Sequence, residues 1–285
     1  TYAPKLLDYA SGEIRLLSVS RKVEAADDID GLDIDVPAAM IKGQALAEAY
    51  ALKHKPFRFI VDGKEVLGIE ELRDYTEYSY NRGSIFLGAD LAGGFNAAIG
   101  LYLGLLASLP VQRKPSRVKN GSLPISAAYF TADNTTENRE NQWETISNKG
   151  YVFLLSYTGV GGYFFSGDQM ATAADDDYSS MARGRAMDKV HRLTYTTFVQ
   201  ELDDDFDTDE EGAINAGKIK AVQGKIESVV NLSMTNKGEL SAFSALINPK
   251  QNAISLAGYK VQCSARPKAY SSNIDIELNY NNPAN

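Results

Sequence analysis

The sequence contains very little of what disulfide and metal sites require. Its 285 residues include one cysteine, Cys263, and two histidines, His54 and His191. A single cysteine excludes an intrachain disulfide and a zinc site built on several cysteines, and it suits synthesis in a reducing cytoplasm. The histidines lack the spacing of a metal-binding pair, and no H-E-x-x-H motif occurs. We therefore predict no metal site of these types.

Strong basic clusters and membrane-length apolar runs are also missing. The chain carries 29 Lys and Arg against 37 Asp and Glu, a net charge of −8, which argues against a nucleic-acid partner. The basic stretch 110–124 has no interleaved aromatic residues on which bases could stack, so we interpret it as a solvated connector. The longest apolar run, Ala97 to Leu109, is too short to span a bilayer, so we predict no membrane insertion.

One glycine-rich segment could be interpreted either as a phosphate-binding loop or as a site of close packing. The pair Gly93-Gly94 falls between a predicted strand and a predicted helix, where dinucleotide-binding proteins hold phosphate. Neither G-x-G-x-x-G nor G-x-x-x-x-G-K-[ST] is present, so we predict no cofactor. We expect these glycines, and the pair Gly100 and Gly104 on one helix face, to allow close packing instead.

No recognised motif indicates catalysis. The sequence has no G-x-S-x-G elbow around a serine, and its two histidines have no evident nucleophile beside them. Paired carboxylates for glycoside hydrolysis stay open, because 37 acidic residues offer many combinations. We predict that the protein is not an enzyme, with no catalytic residues.

Hydrophobic periodicity predicts alternating strands and helices in the first part of the chain. Such alternation is typical of an α/β fold with a mostly parallel sheet, packed helices and right-handed crossovers. We expect Thr1 to Ala10 to be a strand or a loose arm, and a domain boundary near Ser126 that gives domains 1–125 and 126–285. Since the chain begins at Thr1, we expect a processed chain or a missing N-terminal part. The strands are predicted at 14–20, 57–61 and 84–89, and the helices at 37–55, 69–75 and 95–109.

The second part of the sequence predicts an α+β arrangement. Two short strands, 151–158 and 163–166, should form a hairpin, and Asp175 to Asp177 should begin a helix. A helix at 214–231 carries apolar residues at three- and four-residue spacing. Strands are predicted at 240–247, 253–256, 259–264 and 272–280.

The helix that follows Asp177 has two different faces. At 100° per residue, apolar residues such as Ala186 and Val190 fall on one arc, and Arg185, Lys189 and Arg192 fall opposite. We predict that this cationic face meets an acidic surface of another protein subunit. A solvated charged face is the alternative.

Seven acids crowd the segment 203–211, which raises the possibility of a calcium site. Aligned from Asp203, positions 1, 3 and 5 fit an EF-hand loop. Thr208 then replaces the required glycine, and Ile214 replaces the terminal glutamate. We predict an acidic surface loop and leave a divalent-ion site as the alternative.

The last residues show strict alternation. Ile274, Ile276, Leu278 and Tyr280 are separated by polar residues, so they predict a strand with one apolar face. Such a strand needs a sheet to join, and one interpretation is that it closes a sheet of its own chain.

One stretch resembles a known family. The run GYVF at Gly150, the hairpin GGYFF at Gly161 and the helix DDDYSSMARGRAMDKVHR at Asp175 resemble the C-terminal core of contractile phage tail sheath proteins. Within that family the likeness is strongest to sheath-like subunits of Mu-like prophages of the Bacteroides group. Arg185, Asp188 and Lys189 match the family's arginine-aspartate-lysine helix. The likeness covers about forty residues well and most of the chain more weakly.

The resemblance implies a structural subunit with no cofactor. Its partners would be copies of itself in stacked hexameric rings, a tail tube protein, and a baseplate or tail terminator. It would assemble in the host cytoplasm and reside in the virion tail, and it would exchange terminal strands with its neighbours. A non-contractile tail-completion or secretion-apparatus component with the same core is the alternative.

Overall fold

The computed structural model describes residues 2–20, 28–63, 71–92, 98–131 and 134–272, together with 274 and 277. Its α-helices are α1 (Tyr2–Tyr9), α2 (Asp35–Leu52), α3 (Ile99–Ser108), α4 (Trp143–Asn148), α5 (Met181–Phe198), α6 (Ala216–Val230) and α7 (Ala253–Leu256). Its strands are β1 (Leu16–Ser18), β2 (Asp28–Ile29), β3 (Leu32–Asp33), β4 (Arg58–Asp62), β5 (Ser79–Tyr80), β6 (Gly83–Phe86), β7 (Tyr129–Thr131), β8 (Asn134–Thr135), β9 (Tyr151–Val152), β10 (Leu154–Tyr157), β11 (Val160–Phe165), β12 (Ala171–Thr172), β13 (Ala242–Ile247) and β14 (Val261–Arg266). Short 3₁₀ segments lie at Tyr75–Glu77, Val118–Asn120, Thr136–Gln142 and Val199–Glu201, and a π-helical turn lies at Asn231–Thr235.

A four-stranded parallel sheet forms the centre of the fold, in the order β1-β4-β6-β9. Phe59 pairs with Gly83 across β4 and β6, and Ile85 pairs with Tyr151 across β6 and β9. The prediction of a mostly parallel sheet with packed helices is confirmed. Strand β9 belongs to the segment after residue 126, so both predicted domains supply strands to this sheet. The boundary itself stays a prediction.

Helices cover both faces of this sheet. Because side chains alternate along β4, Phe59 points to the layer that contains α2, and Ile60 points to the layer that contains α3. On the first side Met40, Ala47 and Tyr50 are buried against the sheet. On the second side the buried residues include Tyr102 and Leu106 of α3 and Met181 of α5.

The last third of the chain forms a separate apolar cluster, which we call the C-terminal lobe. Here α5 and α6 pack together, and the antiparallel hairpin β13-β14 lies against α6. The predicted helix at 214–231 is confirmed as α6, which begins where the Asn215 side chain accepts a hydrogen bond from Gly217 N. Ile219, Val222 and Ile226 line its buried side.

Three predicted elements differ from the structure. Residues 2–9 form helix α1, whose Pro4 carbonyl and Asp8 carboxylate accept hydrogen bonds from the Tyr50 hydroxyl. The strand predicted at 253–256 is helix α7, because the Asn252 side chain accepts a hydrogen bond from Ser255 N and caps a helical turn. Of the helix predicted at 69–75, the described residues 71–74 are not helical, and a 3₁₀ turn follows at Tyr75–Glu77.

The glycines of α3 do not pack closely. Gly100 and Gly104 lie on its exposed side, and no described atom would come within 4 Å of a Cβ placed on either one. The packing face consists of larger side chains, including Ile99 and Tyr102. That part of the prediction is wrong, and Gly93-Gly94 lies outside the described residues. Within the described part of the chain, no helix combines the length and apolar character needed to cross a membrane.

Candidate functional site

Helix α5 begins at a buried carboxylate. The Ser180 hydroxyl caps the helix and donates a 2.6 Å hydrogen bond to Asp168, which also accepts one from Ala182 N at 3.0 Å. Lys114 of the connector lies 3.1 Å from the same carboxylate. The prediction that Asp175 to Asp177 begin the helix is therefore wrong. Asp176 instead accepts a hydrogen bond from Tyr178 N, which stabilises the turn before α5.

The centre of α5 is joined to the parallel sheet by an ion-pair network. The Arg58 side chain, on β4, is 1% exposed, and its Nε lies 3.0 Å from Oδ2 of Asp188. Arg82 Nη1 lies 3.3 Å from the other carboxylate oxygen. Arg58 also donates to the Asn81 carbonyl at 2.8 Å. Asp188 therefore compensates a charge that is otherwise removed from water.

Gly184 makes room for this network. A Cβ at Gly184 would overlap the guanidinium of Arg58, so only glycine lets α5 approach β4 this closely. Burial lowers the pKa of Arg58, and the charge of Asp188 acts in the opposite direction. The pair thus holds the helix against the sheet through a single close contact.

The three predicted cationic residues each contact another part of the same chain. Arg185 donates to the Leu109 carbonyl at 3.1 Å, and Arg192 donates to the Pro56 carbonyl at 3.2 Å. Lys189 lies 2.6 Å from Glu239, in the segment between α6 and β13. Burial lowers the pKa of Arg185, and burial is also the main reason that the pKa of Arg192 falls to about 10.

These contacts change the interpretation of the cationic face. The sequence placed Arg185, Lys189 and Arg192 on a free surface, whereas the structure partly buries them between the sheet layer and the C-terminal lobe. Asp188 lies at the centre of the intrachain network. The expectation of a freely solvated face is wrong, because each side chain has an intrachain partner. Contact of these residues with another subunit stays a prediction.

The hairpin β13-β14 has one protected edge. Ala245 of β13 donates its N–H to Glu227 and accepts a hydrogen bond from Gln223, both at 2.8 Å. Both partners belong to α6, so these bonds satisfy main-chain groups on the side of β13 that faces away from β14. Side-chain hydrogen bonds therefore occupy this edge at its centre.

The other edge, formed by β14, pairs with no described strand. After Arg266 the chain turns toward the connector, where the Tyr270 hydroxyl donates to the Gln112 carbonyl at 2.6 Å. The ammonium of Lys114 lies 4.9 Å from the centre of the Tyr270 ring. The described part of the C-terminal segment therefore leaves the hairpin instead of folding back along β14.

The predicted C-terminal strand is described at only two positions. Ile274 is 76% exposed, and Glu277 is exposed as well. Ile276, Leu278 and Tyr280 lie outside the described residues, so the prediction that these four apolar residues form an assembly strand stays a prediction.

The acidic segment and the two histidines form ordinary contacts. In the acidic segment, Asp204 pairs with Lys218, which also lies 3.1 Å from Glu201. Among the described residues, no group of three His, Cys, Asp or Glu is placed to hold a metal ion. Nδ1 of His54 lies 3.0 Å from Nε2 of His191, so the two histidines hydrogen-bond to each other.

Sequence reasoning missed two residues of this site, Arg58 and Asp168. Arg58 stands in the apolar run FRFIV, where a charged residue in a predicted buried strand signals a paired charge. Asp168 has no comparable signal, because it is one polar residue among several in a predicted loop.

The fold is similar to that of solved contractile-sheath structures. A chain of the anti-feeding prophage baseplate matches over 98% of this chain and 71% of its own length, with 16% identity and a TM-score of 0.62. A chain of the anti-feeding prophage helical sheath in the contracted state matches over 98% and 73%, with 16% identity and a TM-score of 0.63. A sheath tail protein from Desulfitobacterium hafniense matches over 94% and 60%, with 11% identity and a TM-score of 0.53.

Family models divide the sequence into two parts. A search of curated proteins finds no match. Residues 32–169 match the DUF2586 N-terminal domain, and residues 177–285 match the DUF2586 C-terminal domain. Because these two matches together span most of the sequence, the chain belongs to the DUF2586 family.

Proposed function

We propose that this protein is a structural subunit of a contractile tail sheath or a related contractile injection apparatus. The observation that carries the proposal is the fold similarity, which extends over nearly the whole chain to sheath structures. The subunits polymerise as hexameric rings around a tail tube, next to a baseplate or tail terminator. The protein has no enzymatic role.

The finer assignment rests on the sequence motif. The segment DDDYSSMARGRAMDKVHR and the hairpin before it support a sheath subunit of a Mu-like prophage of the Bacteroides group. Such a subunit assembles in the host cytoplasm and resides in the virion tail. The division into domains 1–125 and 126–285 belongs to the same proposal.

Strand exchange at β14 is the physical basis of the proposed polymer. A two-stranded sheet is of marginal stability, and an unpaired edge offers main-chain groups to an added strand. The α6 side chains occupy the edge of β13 at Ala245, so the edge of β14 is the one available. The C-terminal segment leaves this hairpin after Arg266, and Tyr270 contacts the connector, which supports addition of the segment to a neighbouring subunit.

The charged residues of α5 have an indirect part in this proposal. Asp188 and Lys189 hold α5 between the sheet and the C-terminal lobe. They therefore fix the position of the hairpin relative to the rest of the subunit. Arg185 and Arg192 remain candidates for contacts with a tube or a neighbouring subunit.

Deletion of residues 271–285 tests the exchanged strand. We expect the full chain to form tubes or rings in electron micrographs, and the truncated chain to stay folded and monomeric with nearly the same melting temperature. The double variant I276D/L278D should also fail to assemble, because it places charges on the apolar face. The control N279D alters the polar face and should assemble normally.

Two results contradict parts of this proposal. If the truncation lowers the stability of the subunit by several kcal/mol, the strand belongs to its own chain's sheet. A full chain that forms single rings which never stack supports the alternative, a non-contractile tail-completion or secretion-apparatus component.

A further inference from the structure

Helix α2 is apolar on two opposite sides. Its inner side packs on the sheet through residues such as Val36, Met40 and Ala47. At 100° per residue, a second apolar set falls on the opposite side, within an arc of about 80°. All of its members are exposed: Ile34, Ala38, Ile41, Ala45, Ala49 and Leu52. We call this set the outer stripe of α2.

The outer stripe contains large exposed apolar side chains. Ile34 is 52% exposed, Ile41 is 57% exposed and Leu52 is 83% exposed. The outward side of a surface helix is ordinarily polar, and a helix that is apolar all round is ordinarily buried. No described part of the chain covers these side chains. Their exposure therefore indicates a surface that another molecule covers.

The size of the outer stripe suits a protein contact. At about 1.5 Å per residue, the stripe is roughly 27 Å long. The three large side chains expose roughly 400 Å² together, within the 300–600 Å² range of the largest patches on monomers, which are often functional. A stable interface buries about 800 Å² per partner, so the stripe would supply about half of one.

The charges beside the outer stripe favour a second copy of this chain. Lys42 flanks it on one side and Glu48 on the other, and both are exposed. The surface thus carries both signs of charge and no excess of either. A strongly basic or acidic partner would gain little electrostatic attraction from this surface. A second copy carries the same mixture of charges and is not repelled by an excess of one sign.

The position of α2 supports the same partner. The outer stripe lies beyond one face of the parallel sheet, whereas β14 lies in the C-terminal lobe, where it pairs with β13. Stacked rings need more than one contact surface on each subunit, because one surface closes a ring and another joins the rings.

We infer that the outer stripe of α2 is a contact surface for a second copy of this chain, separate from the strand exchange at β14. The inference rests on the proposed function, since it assigns a further surface of the same polymer.

The first test is charge substitution inside the stripe and away from it. Ile41→Glu should raise the protein concentration at which assembly begins at least tenfold, because it places a charge in an apolar contact. The matched control Lys220→Glu introduces the same side chain at an exposed position of α6, away from the stripe, and should change this concentration less than threefold. Both variants should unfold at nearly the same temperature as the unmodified chain, since both positions are exposed. Equal assembly of Ile41→Glu and the unmodified chain would overturn the inference.

The second test identifies the molecule that covers the stripe. In a C263S background, Ala45→Cys is labelled with a thiol-reactive photo-cross-linker, and ¹⁴N- and ¹⁵N-labelled chains are mixed before assembly. Cross-links between peptides of different isotope content are expected, because they join two copies. Cross-links confined to one chain, for example to residues 21–27, would overturn the inference, and so would an absence of cross-links.

The two proposals fail in different ways. If the unmodified chain forms neither tubes nor rings but still gives cross-links between copies at Ala45, the proposed function alone is contradicted. The cross-linking at Ala45 is measured on whatever oligomer the chain forms in solution, so it decides the inference in either case.

Discussion

Removal of the Asp188 charge should destabilise the subunit strongly. The change Asp188→Asn keeps the size of the side chain but leaves Arg58, which is 1% exposed, without its counter-charge. Loss of one partner of a buried ion pair typically costs about 3–5 kcal/mol, because the other charge remains buried. We expect a loss near the lower end, about 3 kcal/mol, because the Asn81 carbonyl still accepts a hydrogen bond from Arg58.

A double replacement distinguishes loss of the ion pair from the cost of leaving one buried charge unpaired. Asp188→Leu combined with Arg58→Met removes both buried charges, and such replacements are often neutral or stabilising. We therefore expect the double variant to be more stable than Asp188→Asn. Arg82 loses one contact in both variants, but its side chain is 20% exposed and can be solvated.

Urea denaturation followed by circular dichroism measures these differences. A matched control is Glu13→Gln, which breaks the exposed pair between Glu13 and Arg15 and should cost at most about 1 kcal/mol. The reasoning is refuted if Asp188→Asn and Glu13→Gln reduce the free energy of unfolding equally.

Three further predictions concern single positions. Gly184→Ala should lower the free energy of unfolding by about 1–3 kcal/mol in urea titrations, because its methyl group overlaps the Arg58 guanidinium. Gly104→Ala should raise it by up to about 1 kcal/mol, because that helical position is open; a loss would show that the site is occupied. Hydrogen bonds from Lys225 and Lys218 lower the pKa of Glu201 below its usual 4.5. The ionised Glu201 therefore stabilises the fold above pH 4.5, and this stabilisation is lost as the pH falls through the lowered pKa. Glu201→Gln should therefore weaken the pH dependence of the melting temperature below pH 4.5. An unchanged pH dependence in that range would contradict the stabilising role of the Glu201 charge.

The sequence was most informative where one periodicity continued over a long segment. Helices α2 and α6 were predicted because their buried residues recur every three or four positions, and β4 was predicted from the short run FRFIV, which is apolar except for Arg58. The errors fall on short segments, where local capping decides the structure. Asn252 converts 253–256 into a helical turn through one side-chain hydrogen bond, which hydrophobic pattern alone does not indicate.

The candidate site was only partly predictable, for a related reason. Periodicity separated Arg185 and Lys189 from the apolar arc of α5, and that division of residue types is present in the structure. In the structure, however, these charged side chains contact other parts of the same chain, and a single sequence does not show which elements will lie on both sides of a helix. Asp188 therefore looked like one charge among several, although it pairs with two arginines 130 and 106 residues away.

Electron cryo-microscopy of the purified full-length chain tests the central claim most directly. The account predicts hollow tubes or stacked rings of this chain, in which each β13-β14 hairpin continues into a strand donated by a neighbouring copy. Monomers that stay separate at all concentrations, or tubes in which every C-terminal strand pairs only within its own chain, would contradict it.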